Sequence, residues 1–170
     1  MVDRSAYSLG VGYSGERLRY ASRLEYRDDN GPGLSAIQWL TTNRADYRFS
    51  DNYRAAARFN FGRTENDITG ANDGRLVEAS VGIAYRPVGN NRLNWLTKYT
   101  YVYDLQSVGQ ENADTDRRLQ VLSWEGIYKL TPQFDLGVKL AEREGEVRID
   151  RDAGGWFGSR ATFAAGSVRW

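Results

Sequence analysis

Apolar and polar side chains alternate with period two along almost the whole chain. In residues 17–27, Leu18, Tyr20, Ser22, Leu24 and Tyr26 take one face, while Arg17, Arg19, Arg23, Glu25 and Arg27 take the other. In residues 53–63, Tyr53, Ala55, Ala57, Phe59 and Phe61 oppose Arg54, Arg58 and Asn60. In residues 75–86, Val77, Ala79, Val81, Ile83 and Tyr85 oppose Glu78, Ser80 and Arg86; in 92–104, Leu93, Trp95, Tyr99, Tyr101 and Tyr103 oppose Asn94, Lys98, Thr100 and Asp104. A helix would scatter each set around its circumference, whereas a strand sorts it onto one face. The same test predicts nine strands, near 5–14, 17–27, 34–49, 53–64, 75–86, 92–104, 116–130, 134–149 and 157–170. No linker or low-complexity segment interrupts them, so residues 1–170 are expected to form one all-β domain.

The predicted connections alternate in length. Short turns fall at 14–16, 50–52, 87–91 and 131–133, and longer polar loops at 28–33, 65–74, 105–115 and 150–156. In an up-and-down meander every second connection lies at the same end, so one end of the sheet is trimmed and the other loop-rich.

Composition removes several function classes. The 170 residues are 41% hydrophobic and 26% charged, with a net charge of +1. A mean hydropathy of −0.63 and the lack of any 18-residue apolar run leave no transmembrane helix. Near-neutral charge gives no general attraction to nucleic acid. Neither cysteine nor histidine is present, which removes disulfides, thiolate nucleophiles and the usual general base. Serine triads and histidine-dependent outer-membrane hydrolases are excluded with it, and no phosphate loop or dinucleotide fingerprint occurs. No catalysis and no cofactor are expected. The N-terminal Met-Val-Asp-Arg-Ser lacks the apolar core of a signal peptide.

Alternation alone permits a soluble barrel with its apolar face inward or a membrane barrel with it outward. Three features favour outward. The segments are longer than typical soluble strands and long enough to cross a bilayer at a tilt. The apolar face is rich in aromatics near strand ends, as interfacial girdles require: Tyr20, Tyr26, Tyr53, Phe59, Tyr85, Trp95, Tyr99 and Tyr101 are the expected lipid-facing rings. Finally, short turns at one end and longer loops at the other are the asymmetry of outer-membrane barrels.

In this patterning the chain resembles Gram-negative outer-membrane β-barrels. Leu93-Asn94-Trp95-Leu96-Thr97-Lys98-Tyr99-Thr100-Tyr101 and Phe134-Asp135-Leu136-Gly137-Val138-Lys139-Leu140 look like the C-terminal barrel region of large bacterial surface and repeat proteins. The segment from Phe163 to Trp170 is similar to the aromatic-ended last strand that such barrels present to their assembly machinery. The resemblance implies an up-and-down antiparallel transmembrane barrel of about eight to ten strands in the bacterial outer membrane, serving as anchor or narrow pore. Its partners would be the lipid bilayer (or detergent) and the barrel-assembly machinery, not nucleic acid. Nine strands depart from the even counts of bacterial single-chain barrels, so part of a larger barrel, or a truncated or engineered form, is expected. A soluble lipocalin-like barrel holding a small apolar ligand, and a surface barrel whose loops 65–74 and 105–115 bind a partner, are the alternatives.

With the apolar face outward, Arg17, Arg19, Arg23, Arg44, Arg48, Arg54, Arg58, Glu78, Lys98, Glu125, Lys129, Asp135 and Lys139 project into the lumen. The set is cation-heavy, so an open path would prefer anions. Alternatively, arginines pairing bidentately with Glu78, Glu125 and Asp46 fill the lumen as a plug. Glu142, Glu144 and Glu146 interrupt the apolar face after Leu140. They mark where the strand leaves hydrocarbon or, with Asp150 and Asp152, a rim site for a divalent cation. No metal is assigned.

Overall fold

The computed structural model describes residues 3–31, 34–66, 72–90, 92–106, 115–149 and 154–170. Nine strands form a single up-and-down antiparallel sheet in chain order. They are β1 (Asp3–Ser14), β2 (Leu18–Gly31), β3 (Leu34–Arg48), β4 (Tyr53–Asn66), β5 (Asn72–Tyr85), β6 (Leu93–Gln106), β7 (Thr115–Lys129), β8 (Asp135–Ile149) and β9 (Trp156–Arg169). All nine expected strands are present. The sheet is not closed: β1 pairs only with β2 and β9 only with β8.

Side-chain oxygens fix the short turns. The Ser50 hydroxyl accepts from the N–H groups of Asn52 (3.2 Å) and Tyr53 (3.3 Å). Thr131 repeats the device two hairpins later, accepting from Gln133 (3.2 Å) and Phe134 (3.1 Å). Serine and threonine favour such turns because the hydroxyl stands in for a backbone acceptor. Tight turns hold the register, whose one irregularity among the described pairings falls between Thr64 and Glu65.

The expected loop at 28–33 is shorter than its polarity suggested, because β2 runs on to Gly31 and β3 resumes at Leu34. Arg27, Asp28, Asp29 and Asn30 are polar on both faces, so alternation fades there although the backbone ladder continues. Arg4 holds the strand end by donating to the buried Asp29 carboxylate at 2.7 Å, and Ser35 donates to Asn30 at 3.0 Å. The expected loops at 65–74 and 105–115 are shorter too, since β4 runs to Asn66, β5 starts at Asn72, β6 runs to Gln106 and β7 starts at Thr115; residues 67–71 and 107–114, with Asp150 and Asp152, lie outside the described residues.

Packing within one layer gives almost no interior. Leu105 is the one buried apolar side chain among the described residues, and Leu9, Val81 and Leu122 are 69%, 47% and 52% exposed. A soluble fold of this size buries its large apolar residues. Here most of them form one uncovered face, while Leu76, Leu96, Ile127, Ile149, Phe157 and Phe163 are exposed on the other.

The register shows how that face is tilted. One row across the sheet reads Tyr7, Tyr26, Trp39, Arg63, Arg75, Leu105, Asp116, Arg148, Trp156. It begins aromatic and becomes charged because the apolar band slides down successive strands. On β8 the band ends at Leu140, eight positions before Arg148 in that row. The short-turn rim descends in the same sense: Tyr13, one residue from the end of β1, shares a row with Thr162, seven from the end of β9. The slide is about one residue per strand, roughly 3.4 Å of rise against 4.8 Å of spacing, or a tilt of about 35°. That lies in the range of β-barrels. From Tyr53 to Phe61 on β4, the band then spans roughly 22 Å along the membrane normal, near the height of an outer-membrane apolar belt.

Candidate membrane face and basic groove

The eight expected lipid-facing rings, Tyr20, Tyr26, Tyr53, Phe59, Tyr85, Trp95, Tyr99 and Tyr101, share one face by register. Four of them gather in two places. Tyr53, Tyr85 and Trp95 pack at the short-turn end, with centroids 4.8 and 6.1 Å apart along the row. Tyr26 stands 4.7 Å from Trp39 and 6.4 Å from Tyr7 toward the loop-rich end. Between them lie Ala55, Ala57, Phe59, Val81 and Ile83. Ring clusters at two margins, with Tyr20, Phe59, Tyr99 and Tyr101 among the aliphatic and small residues between, fit an interface, a hydrocarbon layer and a second interface.

Beyond the band on β7–β9, the same face becomes an ion-pair ladder. Arg160 pairs with Glu142 and stands 3.7 Å from Glu144, while Arg118 pairs with Glu146. Arg148 pairs with Asp116, which is 0% exposed. The Trp156 ring stacks under both arginines, 4.3 Å from the Arg118 guanidinium carbon and 4.9 Å from that of Arg148. The glutamates that interrupt the apolar face are thus engaged by arginines of neighbouring strands. Among the described residues, no group of three or more acidic side chains is placed to hold a metal ion. The ladder was not apparent in the sequence, because Arg118, Arg148 and Arg160 meet the glutamates only through register.

The thirteen residues expected to face the lumen also share one face, opposite the rings. Two grooves open on it, each lined by five consecutive strands, and a third of about 330 Å³ opens on the other face among Arg118, Glu144, Glu146 and Arg160. The larger groove on the charged face, of about 530 Å³, gathers Arg17, Arg19, Arg44, Arg48, Arg54, Arg58, Glu78 and Lys98 at the short-turn end, together with Glu16 and Asp46. Seven cations meet three carboxylates there. Arg44 donates to Asp46 at 2.9 Å and Asn60 to Glu78 at 2.8 Å; Arg17, Arg19, Arg48, Arg54, Arg58 and Lys98 form no ion pair among the described residues. The smaller one on that face, of about 510 Å³, holds the pair Lys139–Glu125. Arg23 lies apart, paired with Glu25 at 2.8 Å, and Lys129 stands opposite Asp135 in the ladder. The expected plug of arginines against Glu78, Glu125 and Asp46 across the lumen is not what these contacts form. Each ion pair on this face joins residues of the same or an adjacent strand, because an open sheet brings no opposite wall within reach.

β9 divides its residues in an order that its sequence left ambiguous. Arg160, Thr162, Ala164, Gly166 and Val168 join the apolar face, while Phe157 and Phe163 lie on the charged one.

No known protein family and no curated protein sequence matches the chain. Among solved structures, the siderophore receptor PirA from Pseudomonas aeruginosa is similar, with a TM-score of 0.54 at 11% identity over 98% of this chain. The match covers 32% of that receptor's chain, so this chain spans about a third of its length. At that identity the likeness is one of fold: a nine-strand antiparallel sheet of the kind found in an outer-membrane barrel.

Proposed function

We propose that the chain forms wall of a β-barrel in the bacterial outer membrane, without catalytic activity, as the membrane anchor of a larger surface protein or as the lining of a narrow anion-preferring pore. The observation that carries this reading is the exposed apolar band, which crosses all nine strands and descends them at a barrel's tilt. The two grooves on the opposite face support an inward charged side, where a lipocalin-like barrel would turn its apolar side in. The alternation and the barrel-like sequence stretches of β6 and β8 support attachment to a larger surface or repeat protein. Its surroundings would be lipid, reached through the barrel-assembly machinery.

Dilution of the unfolded chain into detergent micelles should give a monodisperse, β-rich species by circular dichroism and light scattering. The same dilution into plain buffer should give precipitate. A monodisperse folded protein without detergent would reverse the assignment of the two faces.

Pore and anchor are separated in planar bilayers. A pore lined by the basic groove should show a reversal potential of anion-selective sign under a salt gradient, moved toward zero by Arg48→Gln with Arg54→Gln. Inserted protein that passes no current would leave the anchor.

A further inference from the structure

On the charged face, Arg44 lies directly opposite Arg58 and Arg48 directly opposite Arg54. Directly opposed like charges destabilise a sheet, and here two such pairs occur in one hairpin. The row between them reads Arg19, Asp46, Ala56, Gly82, Lys98. Ala56 and Gly82 leave the floor of the groove open, and Asp46 is already engaged by Arg44. Arg54 and Arg58 have no acidic partner among the described residues. The Arg48/Arg54 pair therefore concentrates positive charge without neutralising it, while at the other pair Asp46 holds Arg44 and Arg58 is left unpaired among the described residues.

We propose that this groove is a binding site for a linear oligophosphate, each arginine pair clamping one phosphate group. Opposed residues have Cβ atoms about 5 Å apart, so two guanidinium groups can reach a single tetrahedral oxyanion, Arg44 by exchanging the Asp46 carboxylate for it. Their forked donors match phosphate oxygens bidentately. The two clamps are four residues apart along β3, roughly 13 Å. Orthophosphate fills one clamp, and a chain of phosphates reaches both. Arg19 and Lys98 flank the intervening stretch and add charge to its middle. The proposal rests on the reading above, in which this face lines an aqueous interior.

The test titrates the detergent-refolded protein with linear inorganic polyphosphate, orthophosphate and oligoglutamate by calorimetry. Polyphosphate should bind more tightly than orthophosphate, and either double variant, Arg44→Gln/Arg58→Gln or Arg48→Gln/Arg54→Gln, should weaken it about tenfold. Arg117→Gln/Arg143→Gln removes the same charge from the same face outside the groove and should leave affinity unchanged. Without ligand, Arg48→Gln/Arg54→Gln should melt at or above the unsubstituted temperature because a repulsion is gone and no ion pair is lost, and polyphosphate should raise the unsubstituted protein's midpoint most. Equal loss in the control variant, or equal affinity for oligoglutamate, overturns the site as a phosphate clamp while detergent-dependent folding still stands. Folding in plain buffer would instead remove the reading beneath it.

Discussion

Val81→Arg should cost about 2–4 kcal/mol of unfolding free energy in lipid vesicles, the price of an arginine at the bilayer midplane. Val81 sits halfway along the apolar run of β5 from Val77 to Tyr85, flanked across the sheet by Ala57 and Tyr99. Its side chain is uncovered by protein, so a guanidinium there meets lipid rather than a void. Thr100→Arg places the same group on the opposite face, between Ser80 and Val121, and should cost less than about 1 kcal/mol. Urea unfolding of vesicle-inserted protein reads both. Equal costs at the two positions would remove the distinction between a lipid face and an aqueous one.

Asp116→Ala should be the most damaging substitution above the apolar band. Asp116 is fully buried, and Arg148 donates to its carboxylate through Nε at 3.1 Å as well as through Nη2. Removing the carboxylate leaves a partly buried guanidinium wedged against Trp156 beside Leu105. Loss of one partner from a buried pair costs about 3–5 kcal/mol, and the partial exposure of Arg148 lowers the expectation to about 2–3 kcal/mol. Adding Arg148→Met should recover part of the loss, since the stranded charge goes with it. A double-mutant cycle in urea measures the coupling. Purely additive losses would mean that the pair does not act as a unit.

These two sites show what could be read from the chain alone. Val81 was assignable because a two-residue period sorts β5 cleanly when one face is apolar. Asp116 was expected at the start of a strand, but its burial was not legible, because it depends on Arg148 and Leu105 from neighbouring strands. The extension of β2 to Gly31 was missed because both faces are polar there. The opposed arginines, by contrast, left a usable trace: a tight turn at 50–52 sets 49 against 53, and therefore 48 against 54 and 44 against 58. That inference needed the turn and the arginines to be considered together. The open edges agree with the odd strand count, which already pointed to part of a larger barrel, although strand periodicity carries no information about what lies beside the first and last strand.

Those edges have a polarity. With nine alternating strands, β1 and β9 run in the same direction, so the two unpaired rims are equivalent in sense rather than complementary. Bringing them together directly, or setting a second copy head to tail, would create a parallel seam in an otherwise antiparallel wall. A segment that completes the wall with antiparallel ladders throughout must contribute an odd number of strands. In hydrocarbon an unpaired backbone group costs several kcal/mol, so each rim requires a neighbouring strand; an insert with an even strand count satisfies it through one parallel seam, whose slanted ladder is slightly weaker per residue.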